Sequence, residues 1–216
     1  MAESATAPAP EAPKGQRALA DLPRFGLPRR LLRRVSVPAD PSLRVAGEVA
    51  VSCEVAVADL ACVPRREQVS DFHCVFTWSR LGLRWSGWAL RDVYELLIVP
   101  RARPHGGVRY LKFIGADGFY ASLALDYALV DGVMLADTLE GKPLSLANGA
   151  PWRVVAPAHY GYKSVKHLRA IELCSRYPSP FRPGGGGPVA HRDAVVEREQ
   201  RGQILPGSAY RLLYAA

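Results

Sequence analysis

The amino-acid sequence predicts an α+β fold, a single domain in which a mixed β-sheet is accompanied by short helices. In several short segments apolar residues alternate with polar ones, which is the period of half-buried strands. The chain has 19 Gly and 18 Pro among 216 residues, a composition that favours short elements joined by turns over a helical bundle. With 49% apolar residues at this length, the chain is able to bury a full core.

The first predicted elements follow a flexible basic arm over residues 1–34. Apolar residues dominate the odd positions from Leu43 to Val57 and predict a strand or a bent hairpin. The segment 72–78 is rich in β-branched and aromatic residues, so we expect a strand there. Polar loops are expected on both sides of it, over 64–70 and 79–87.

A helix and several further strands complete the expected domain, which covers residues 35–175. Apolar residues at helical spacing predict a helix from Trp88 to Val99, ended by Pro100. The Asp117-Gly118 pair predicts the turn of a hairpin. Other short strands are predicted over 134–138, 152–156 and 168–173. Residues 176–216 are expected to form a C-terminal extension.

The positive charge of the chain is concentrated in the arm. The formal net charge is +8, from 28 Lys and Arg against 20 Asp and Glu. Residues 14–34 contain seven basic residues and one Asp, a net charge of +6, so the rest of the chain is only mildly basic. We therefore expect no nucleic-acid partner, although a non-catalytic anion-binding or RNA-binding protein that uses this arm is an alternative function.

The composition also predicts a soluble protein of the cytoplasm. No apolar run approaches the roughly 20 residues that a membrane-spanning helix requires, so no membrane span is expected. Residues 1–13 are rich in Ala, Pro and Glu and lack the apolar core of a secretory signal. In this compartment we expect free thiols and no structural zinc site, because no Cys-x-x-Cys pair occurs among Cys53, Cys62, Cys74 and Cys174.

Local motifs indicate one candidate cysteine, one candidate loop and one unusual arginine. Cys74 follows His73 at the end of a predicted strand, where a thiolate acts as a nucleophile or metal ligand; a small buried core residue is the alternative. The segment Gly161–Lys166 has the cations, hydroxyl and backbone amides of a phosphate-binding loop, with a solvated basic loop as the alternative. Arg153 interrupts an apolar strand, and a semi-buried arginine usually has an anionic partner.

Several short motifs occur in a recognisable order: Asp71-Phe72-His73-Cys74-Val75-x-x-Trp78-Ser79, Trp85-x-Gly87-x-x-Leu90, Phe113-x-Gly115-x-Asp117-Gly118, Gly141-Lys142-Pro143-Leu144, Asn148-Gly149-x-Pro151-x-Arg153 and Gly161-Tyr162-Lys163-Ser164-Val165-Lys166. In this order the chain resembles the molybdopterin-binding domain of the sulfite oxidase family, and most closely its short bacterial members. The resemblance runs from about Pro41 to Leu173. It implies the fold of that family.

The resemblance also implies a cofactor and the residues that hold it. The cofactor is one molybdopterin with molybdenum, and Cys74 is the thiolate ligand of the metal. Arg34 lies near an N-terminal arginine of the family that faces pterin and substrate, so it is the second predicted catalytic residue. Tyr177 lies near the active-site tyrosine of the family in chain order. The implied cofactor-binding residues are Asp117, Asn148, Arg153, Ser164, Val165 and Lys166.

The implied activity is two-electron oxygen-atom transfer, in either direction, on a small sulfur oxyanion or a sulfoxide. Arg34, Arg80 and Arg84 are candidates to attract such an oxyanion, with surface solvation as the alternative for each. The sequence carries no haem, flavin or iron–sulfur motif. We therefore expect electrons to enter or leave through a separate protein or a soluble carrier.

Overall fold

A computed structural model describes residues 11–23, 35–187 and 190–214 of the chain. Two sheets and a few short helices make up the fold, which confirms the α+β class but divides the single predicted sheet in two. The strands are β1 (Arg17–Ala18), β2 (Ser42–Gly47), β3 (Cys53–Ala56), β4 (Arg65–Cys74), β5 (Trp78–Ala89), β6 (Tyr110–Gly115), β7 (Tyr120–Ala124), β8 (Met134–Leu139), β9 (Lys142–Pro143), β10 (Arg153–Val155) and β11 (Leu168–Cys174). The α-helices are α1 (Leu90–Val93), α2 (Val99–Ala102), α3 (Leu125–Ala128) and α4 (Gly207–Tyr214), and short 3-10 helices span Val57–Cys62 and Gly161–Lys163.

The five-stranded sheet has the order β3-β2-β11-β6-β7. In it, β11 is parallel to β2 and antiparallel to β6. The alternating segment after residue 42, predicted as a strand or a bent hairpin, forms the antiparallel pair of β2 and β3. The Asp117-Gly118 turn joins β6 to β7 as predicted, and Gly118 has the positive φ of 91° that a glycine adopts without strain.

The six-stranded sheet follows the path β1-β5-β8-β10, with β4 paired to β5 and β9 to β8. Both segments predicted as polar loops, 64–70 and 79–87, lie almost wholly in the long strands β4 and β5, so those predictions are wrong. The charged residues 65–67 of the edge strand β4 are exposed, and Arg65 pairs with Asp137 at 2.8 Å, whereas Ser79 and Ser86 of the inner strand β5 are buried.

The helix predicted to end before Pro100 continues to Ala102. Between α1 and α2, residues Tyr94–Ile98 form a π-helical turn, in which the Val99 N–H donates to the Tyr94 carbonyl. Pro100 lacks an N–H and clashes with the preceding helical turn. The wider turn accommodates it, and the chain continues into α2.

The core fills both faces of the six-stranded sheet. One apolar cluster lies between this sheet, the five-stranded sheet and the helical segment 90–102. A second cluster lies on the opposite face and includes Trp85 and Val155. Because side chains alternate along β10, Val154 belongs to the first cluster, while Arg153 is on the face of Val155.

Both described end segments pack against the core. In β1, Arg17 pairs in parallel with Trp78 of β5, so residues 11–23 of the predicted arm are attached to the sheet. A third small cluster joins Ala194 and Val196 of the C-terminal extension to Val75 and Tyr160. None of the helices that the described residues form has the length and apolarity needed to cross a bilayer.

Candidate active site

Cys74 is the last residue of β4 and lies opposite Trp78 in a tight hairpin. Thr77 in the turn has a positive φ of 67°. The thiol is buried, with 6% of the residue exposed. Burial raises the pKa of the thiol to about 11, against smaller lowering effects from a hydrogen bond with the Phe76 backbone and from the charge of Arg201. At neutral pH the free thiol is therefore protonated, and metal binding would release that proton.

A hydrogen-bond network fixes the backbone around Cys74 from the N-terminal side. The Gln16 Nε2 donates to the Cys74 carbonyl at 3.2 Å, and its Oε1 accepts from the Ser79 hydroxyl at 3.3 Å. Since that hydroxyl has only one hydrogen, the His73 Nδ1, 2.7 Å from the same oxygen, is the donor of their bond. Burial lowers the pKa of His73, so the ring is neutral at pH 7.

Arg201 of the C-terminal extension fixes the same hairpin from the other side. It donates to the Val75 carbonyl at 2.8 Å and to the Gly15 carbonyl at 3.1 Å, and its Cζ lies 5.0 Å from the centre of the Tyr160 ring. The residue is fully buried. No local motif identifies it in the sequence, because 126 residues separate it from Val75.

Arg153 is buried on the face of the six-stranded sheet that carries Trp85. Its hydrogen bonds go to backbone carbonyls, that of Asn148 at 3.1 Å, that of Ser164 at 3.1 Å and that of Val154 at 3.4 Å. Its Cζ lies 5.1 Å from the Trp85 ring centre. Burial lowers the pKa of the guanidinium to about 10, so it is still charged at neutral pH.

The ring of Phe72 in β4, the strand that ends at Cys74, contacts both Arg153 and the 161–166 loop. Phe72 precedes Cys74 by two residues in β4, and its ring centre lies 5.9 Å from that of Trp78. The Arg153 Cζ lies 5.3 Å from the same ring. Gly161 packs so closely on it that a Cβ there would come within 2.2 Å of a ring carbon. The three predicted elements of the site therefore meet at one side chain.

The loop predicted to bind phosphate uses two of its amides internally. The Ser164 N–H donates to the Gly161 carbonyl at 3.1 Å, and the Val165 N–H to the Lys163 carbonyl at 3.0 Å. The Ser164 hydroxyl accepts from the Ala156 N–H at 3.2 Å, and the Val165 side chain lies in the core. Lys166 is half-buried and donates to the Ala147 carbonyl at 2.8 Å.

The two lysines of this loop point to different neighbours. Lys163 is fully buried and donates to the Ser122 carbonyl at 2.6 Å and to the Arg192 carbonyl at 2.5 Å, so it joins β7 to the C-terminal extension. Burial lowers its pKa to about 7. Lys163 is thus a structural residue. The sequence pattern alone does not distinguish it from Lys166, because both are lysines of the same short loop.

Asp117 and Asn148 lie on the loops next to Lys166. The Asp117 Oδ1 accepts the Phe119 N–H at 3.0 Å, and a Cβ on Gly115 would lie 2.6 Å from both that oxygen and the Lys166 carbonyl oxygen. Asn148 precedes Gly149, which packs closely on Lys166: a Cβ added to Gly149 would lie 3.0 Å from the Lys166 Cβ. The predicted cofactor residues therefore converge on one region.

The remaining predicted residues are more dispersed. Arg80 lies opposite Phe72 and donates to the Leu81 carbonyl. Arg84 is exposed and six residues along β5 from Trp78, which is roughly 20 Å in a strand. Tyr177 packs on Tyr110, with 5.6 Å between the ring centres, and its pKa is raised to about 12 by burial. Arg34 lies outside the described residues.

Known proteins resemble the chain in this region. Residues 33–181 match the protein family described as the oxidoreductase molybdopterin binding domain. The uncharacterized oxidoreductase YuiH of Bacillus subtilis is 34% identical over 132 residues, 61% of this chain and 64% of that protein. MsrP of Campylobacter jejuni, the catalytic subunit of a protein-methionine-sulfoxide reductase, is 29% identical over 153 residues, 62% of this chain and 49% of that protein.

A solved structure has the same fold. The sulfane dehydrogenase SoxCD from Paracoccus pantotrophus matches with a TM-score of 0.54 and 22% identity over 63% of this chain and 38% of that chain. The chain spans less than two thirds of the length of YuiH and about half that of MsrP. Cys74, Arg153 and the 161–166 loop all lie inside the range that matches the family. The predicted resemblance is confirmed, and the chain belongs to the family of the oxidoreductase molybdopterin binding domain.

Proposed function

We propose that the chain catalyses two-electron oxygen-atom transfer on a sulfur-centred substrate, a small sulfur oxyanion or a sulfoxide, with molybdenum held by molybdopterin. One observation carries the proposal: the strand of the Cys74 thiol, the buried cation of Arg153 and the Gly161 loop meet at the Phe72 ring. This geometry supports a role for Cys74 as a soft metal ligand and for Arg153 as an anion-binding group of the same site. Bound molybdopterin supplies the oxygen-atom transfer and the two-electron redox change.

The residues of the site fit such a cofactor. No carboxylate of the described residues pairs with the charged Arg153, which leaves its charge for an anion such as the pterin phosphate. Beside it, the Trp85 Nε1 is buried without a hydrogen-bond partner among the described residues, as expected where a ligand accepts the bond. The Cys74 sulfur is the soft donor that molybdenum favours.

Each side chain has a role that its surroundings support. Cys74 would bind the metal, and the Gln16, Ser79 and His73 network would keep its backbone in place. Arg153 and Lys166 would hold the anionic part of the cofactor, together with the Asp117 and Asn148 loops. Because the Ser164 and Val165 amides already have carbonyl partners, the cations contribute more than the backbone to binding phosphate.

One relative supports the proposed substrate class. MsrP is named for reduction of methionine sulfoxide in proteins, and this name supports a substrate that reacts at sulfur. Of the two candidate arginines that the structure describes, Arg80, which is half-buried and opposite Phe72, is better placed than the exposed Arg84 to attract an oxyanion.

The test uses protein purified from a host that makes molybdopterin. We expect molybdenum and pterin in equal amounts, and turnover with sulfite or with a methyl sulfoxide in the presence of a redox dye. Cys74→Ser replaces a soft ligand by a hard hydroxyl of nearly the same volume, so we expect a folded protein that lacks the thiolate-to-molybdenum absorption and has no measurable turnover.

Cys53→Ser and Cys174→Ser are the matched controls, since both residues are half-buried in strands of the other sheet. They should keep absorption and turnover and change stability only. Wild-type protein without molybdenum, or a Cys74→Ser protein with full turnover, would reject the proposal.

We also propose that electrons are exchanged with a separate protein or soluble carrier, and that the basic residues of the arm attract an acidic partner. Their net charge of +6 over residues 14–34 supports this. The cytoplasmic location stays a prediction.

A further inference from the structure

We propose that Arg201 is a positioning residue for the metal ligand: it holds the turn that follows Cys74 and keeps a positive charge beside that cysteine. This inference rests on the proposed role of Cys74 as the protein ligand of molybdenum. Arg201 belongs to the C-terminal extension. Its hydrogen bonds go to backbone carbonyls, so it acts on Cys74 through the backbone of the turn that begins at Val75.

The first support is the set of groups that Arg201 joins. Its Nη1 donates to the carbonyl of Val75, the residue directly after Cys74, at 2.8 Å. Its Nη2 donates at 3.1 Å to the carbonyl of Gly15, whose neighbour Gln16 donates to the Cys74 carbonyl at 3.2 Å. One guanidinium therefore connects the N-terminal segment and the C-terminal extension to the hairpin, at the residue that directly follows Cys74. Hydrogen bonds from a charged donor are stronger than neutral ones and hold a backbone turn more rigidly.

The second support is the cost of burying this side chain. Arg201 is 0% exposed, and its Nε has no hydrogen-bond partner among the described residues. Among the described residues its acidic neighbour is Glu199, whose Oε1 lies 4.0 Å from Nη2, longer than a hydrogen bond. A buried cation with incomplete hydrogen bonding lowers stability relative to an apolar side chain of the same size. Stability alone therefore does not explain an arginine at this position.

The third support is electrostatic. The guanidinium donates to the carbonyl of Val75, the residue bonded to Cys74, so its charge lies in the immediate surroundings of that cysteine. Low polarity around both groups strengthens that interaction. When a metal is bound, a nearby positive charge favours the state with more electrons at the centre. Removal of the charge should therefore lower the midpoint potential of the molybdenum couple.

Three variants separate position from charge. Arg201→Met removes the hydrogen bonds and the charge, Arg201→Lys keeps the charge but cannot span both carbonyls, and Arg198→Met removes an exposed arginine nearby as a control. In cofactor-free protein, hydrogen exchange of the amides in residues 75–77 should be at least about tenfold faster in Arg201→Met, since two charge-assisted bonds are lost. Arg198→Met should leave it unchanged.

In cofactor-loaded protein, the midpoint potential should be lower in Arg201→Met and near the wild-type value in Arg201→Lys. Exchange in Arg201→Lys should still be faster than in wild type. The inference is overturned if Arg201→Met has both the wild-type rate of hydrogen exchange in residues 75–77 and the wild-type midpoint potential of the molybdenum couple. If Arg201→Met does not fold, Arg201→Lys decides, because wild-type exchange in that variant shows that the bridge between the carbonyls is not needed.

Cys74→Ser distinguishes this inference from the proposed function. If the thiolate-to-molybdenum absorption persists in Cys74→Ser, the assignment of the ligand is wrong, and with it the role given to Arg201. If Cys74→Ser loses the absorption while Arg201→Met keeps wild-type exchange and potential, the inference on Arg201 alone is wrong.

Discussion

Arg153 is held by backbone carbonyls in a buried part of the six-stranded sheet, and a charge in such a position lowers stability unless a bound anion offsets it. Replacement by Met removes the charge at similar length. We expect cofactor-free Arg153→Met to unfold at the same or a higher urea concentration than wild type. The loaded variant should retain about tenfold less molybdenum, because a charge-assisted contact is lost. Urea unfolding and metal analysis measure the two effects.

Arg84→Met is the control for this prediction, since Arg84 is an exposed arginine of the same sheet. It should change neither quantity. A cofactor-free Arg153→Met protein that is strongly destabilised yet keeps its molybdenum would mean that the arginine serves the core and not the cofactor.

The burial of Lys163 leads to a prediction of how the stability of the fold depends on pH. Burial lowers its pKa from 10.5 to about 7, so between these values the unfolded chain binds more protons than the folded chain. Stability from this group therefore rises with pH from about 7 upward, by at most about 1.4 kcal/mol per pH unit. Urea unfolding of wild type and Lys163→Met at pH 7, 8 and 9 should show wild type gaining relative to the variant. A constant difference over this range contradicts the assignment.

Single residues of the site were predictable from sequence where they break a local pattern. Cys74 ends a strand, and Arg153 is a charge in an apolar run, so both are visible within a few neighbours. Gln16 and Arg201 are not, because their contacts with the hairpin span 58 and 126 residues. The pairing of Lys163 with a distant carbonyl is hidden for the same reason.

At the scale of elements, the packing of the 161–166 loop on β4 has a sharp steric test. A Cβ at Gly161 would lie 2.2 Å from the Phe72 ring, which is itself confined by Trp78 and Arg153. We expect Gly161→Ala to destabilise the protein by about 1–3 kcal/mol, the usual cost of overpacking, and to weaken cofactor retention. Chemical unfolding and molybdenum content are the measurements.

Gly106→Ala is the matched control, because no atom lies within 4 Å of the added Cβ and the residue is exposed. It should be neutral to within about 0.5 kcal/mol. Equal stability of the two variants would show that the loop and the ring do not pack as described.

The β2–β3 and β6–β7 segments were the most predictable elements, because alternation and the Asp117-Gly118 turn are local signals. The long strands β4 and β5 were partly missed. The edge strand β4 carries charged residues whose partners, such as Asp137, lie elsewhere in the chain, and β5 contains polar residues, Ser79 and Ser86, that are buried in the fold. The sequence predicted the end of the helix too early, because the π-helical turn that accommodates Pro100 has no signal in the composition.

At the scale of the whole molecule, the positive charge of the arm leads to a prediction about association with the proposed electron partner. Gln16 and Arg17 lie in the attached part of the arm, so deleting the whole arm would also disturb the site. Replacing Arg29, Arg30 and Arg33 by Gln removes three charges and spares that part. Association with an acidic partner at low salt should slow by about tenfold, with a weaker dependence on ionic strength and an unchanged kcat.

The control replaces three exposed arginines of the body, Arg44, Arg109 and Arg169, and so changes the net charge equally. Its association rate should fall less. Stopped-flow measurements across a salt series compare the two, and identical salt dependence would show that only net charge matters and that the arm does not steer.

The bond between Arg201 and the Gly15 carbonyl spans 186 residues, and this span bears on how the protein matures during translation. A ribosome releases the chain from its N-terminus at about 5–20 residues per second. Both sheets have all their strands once β11 has emerged, whereas the hairpin of Cys74 must wait for Arg201, which follows β11 in the chain. The nascent protein thus acquires its core before the contacts that fix the Cys74 hairpin, and we expect the pterin to be captured only after Arg201 has left the ribosome.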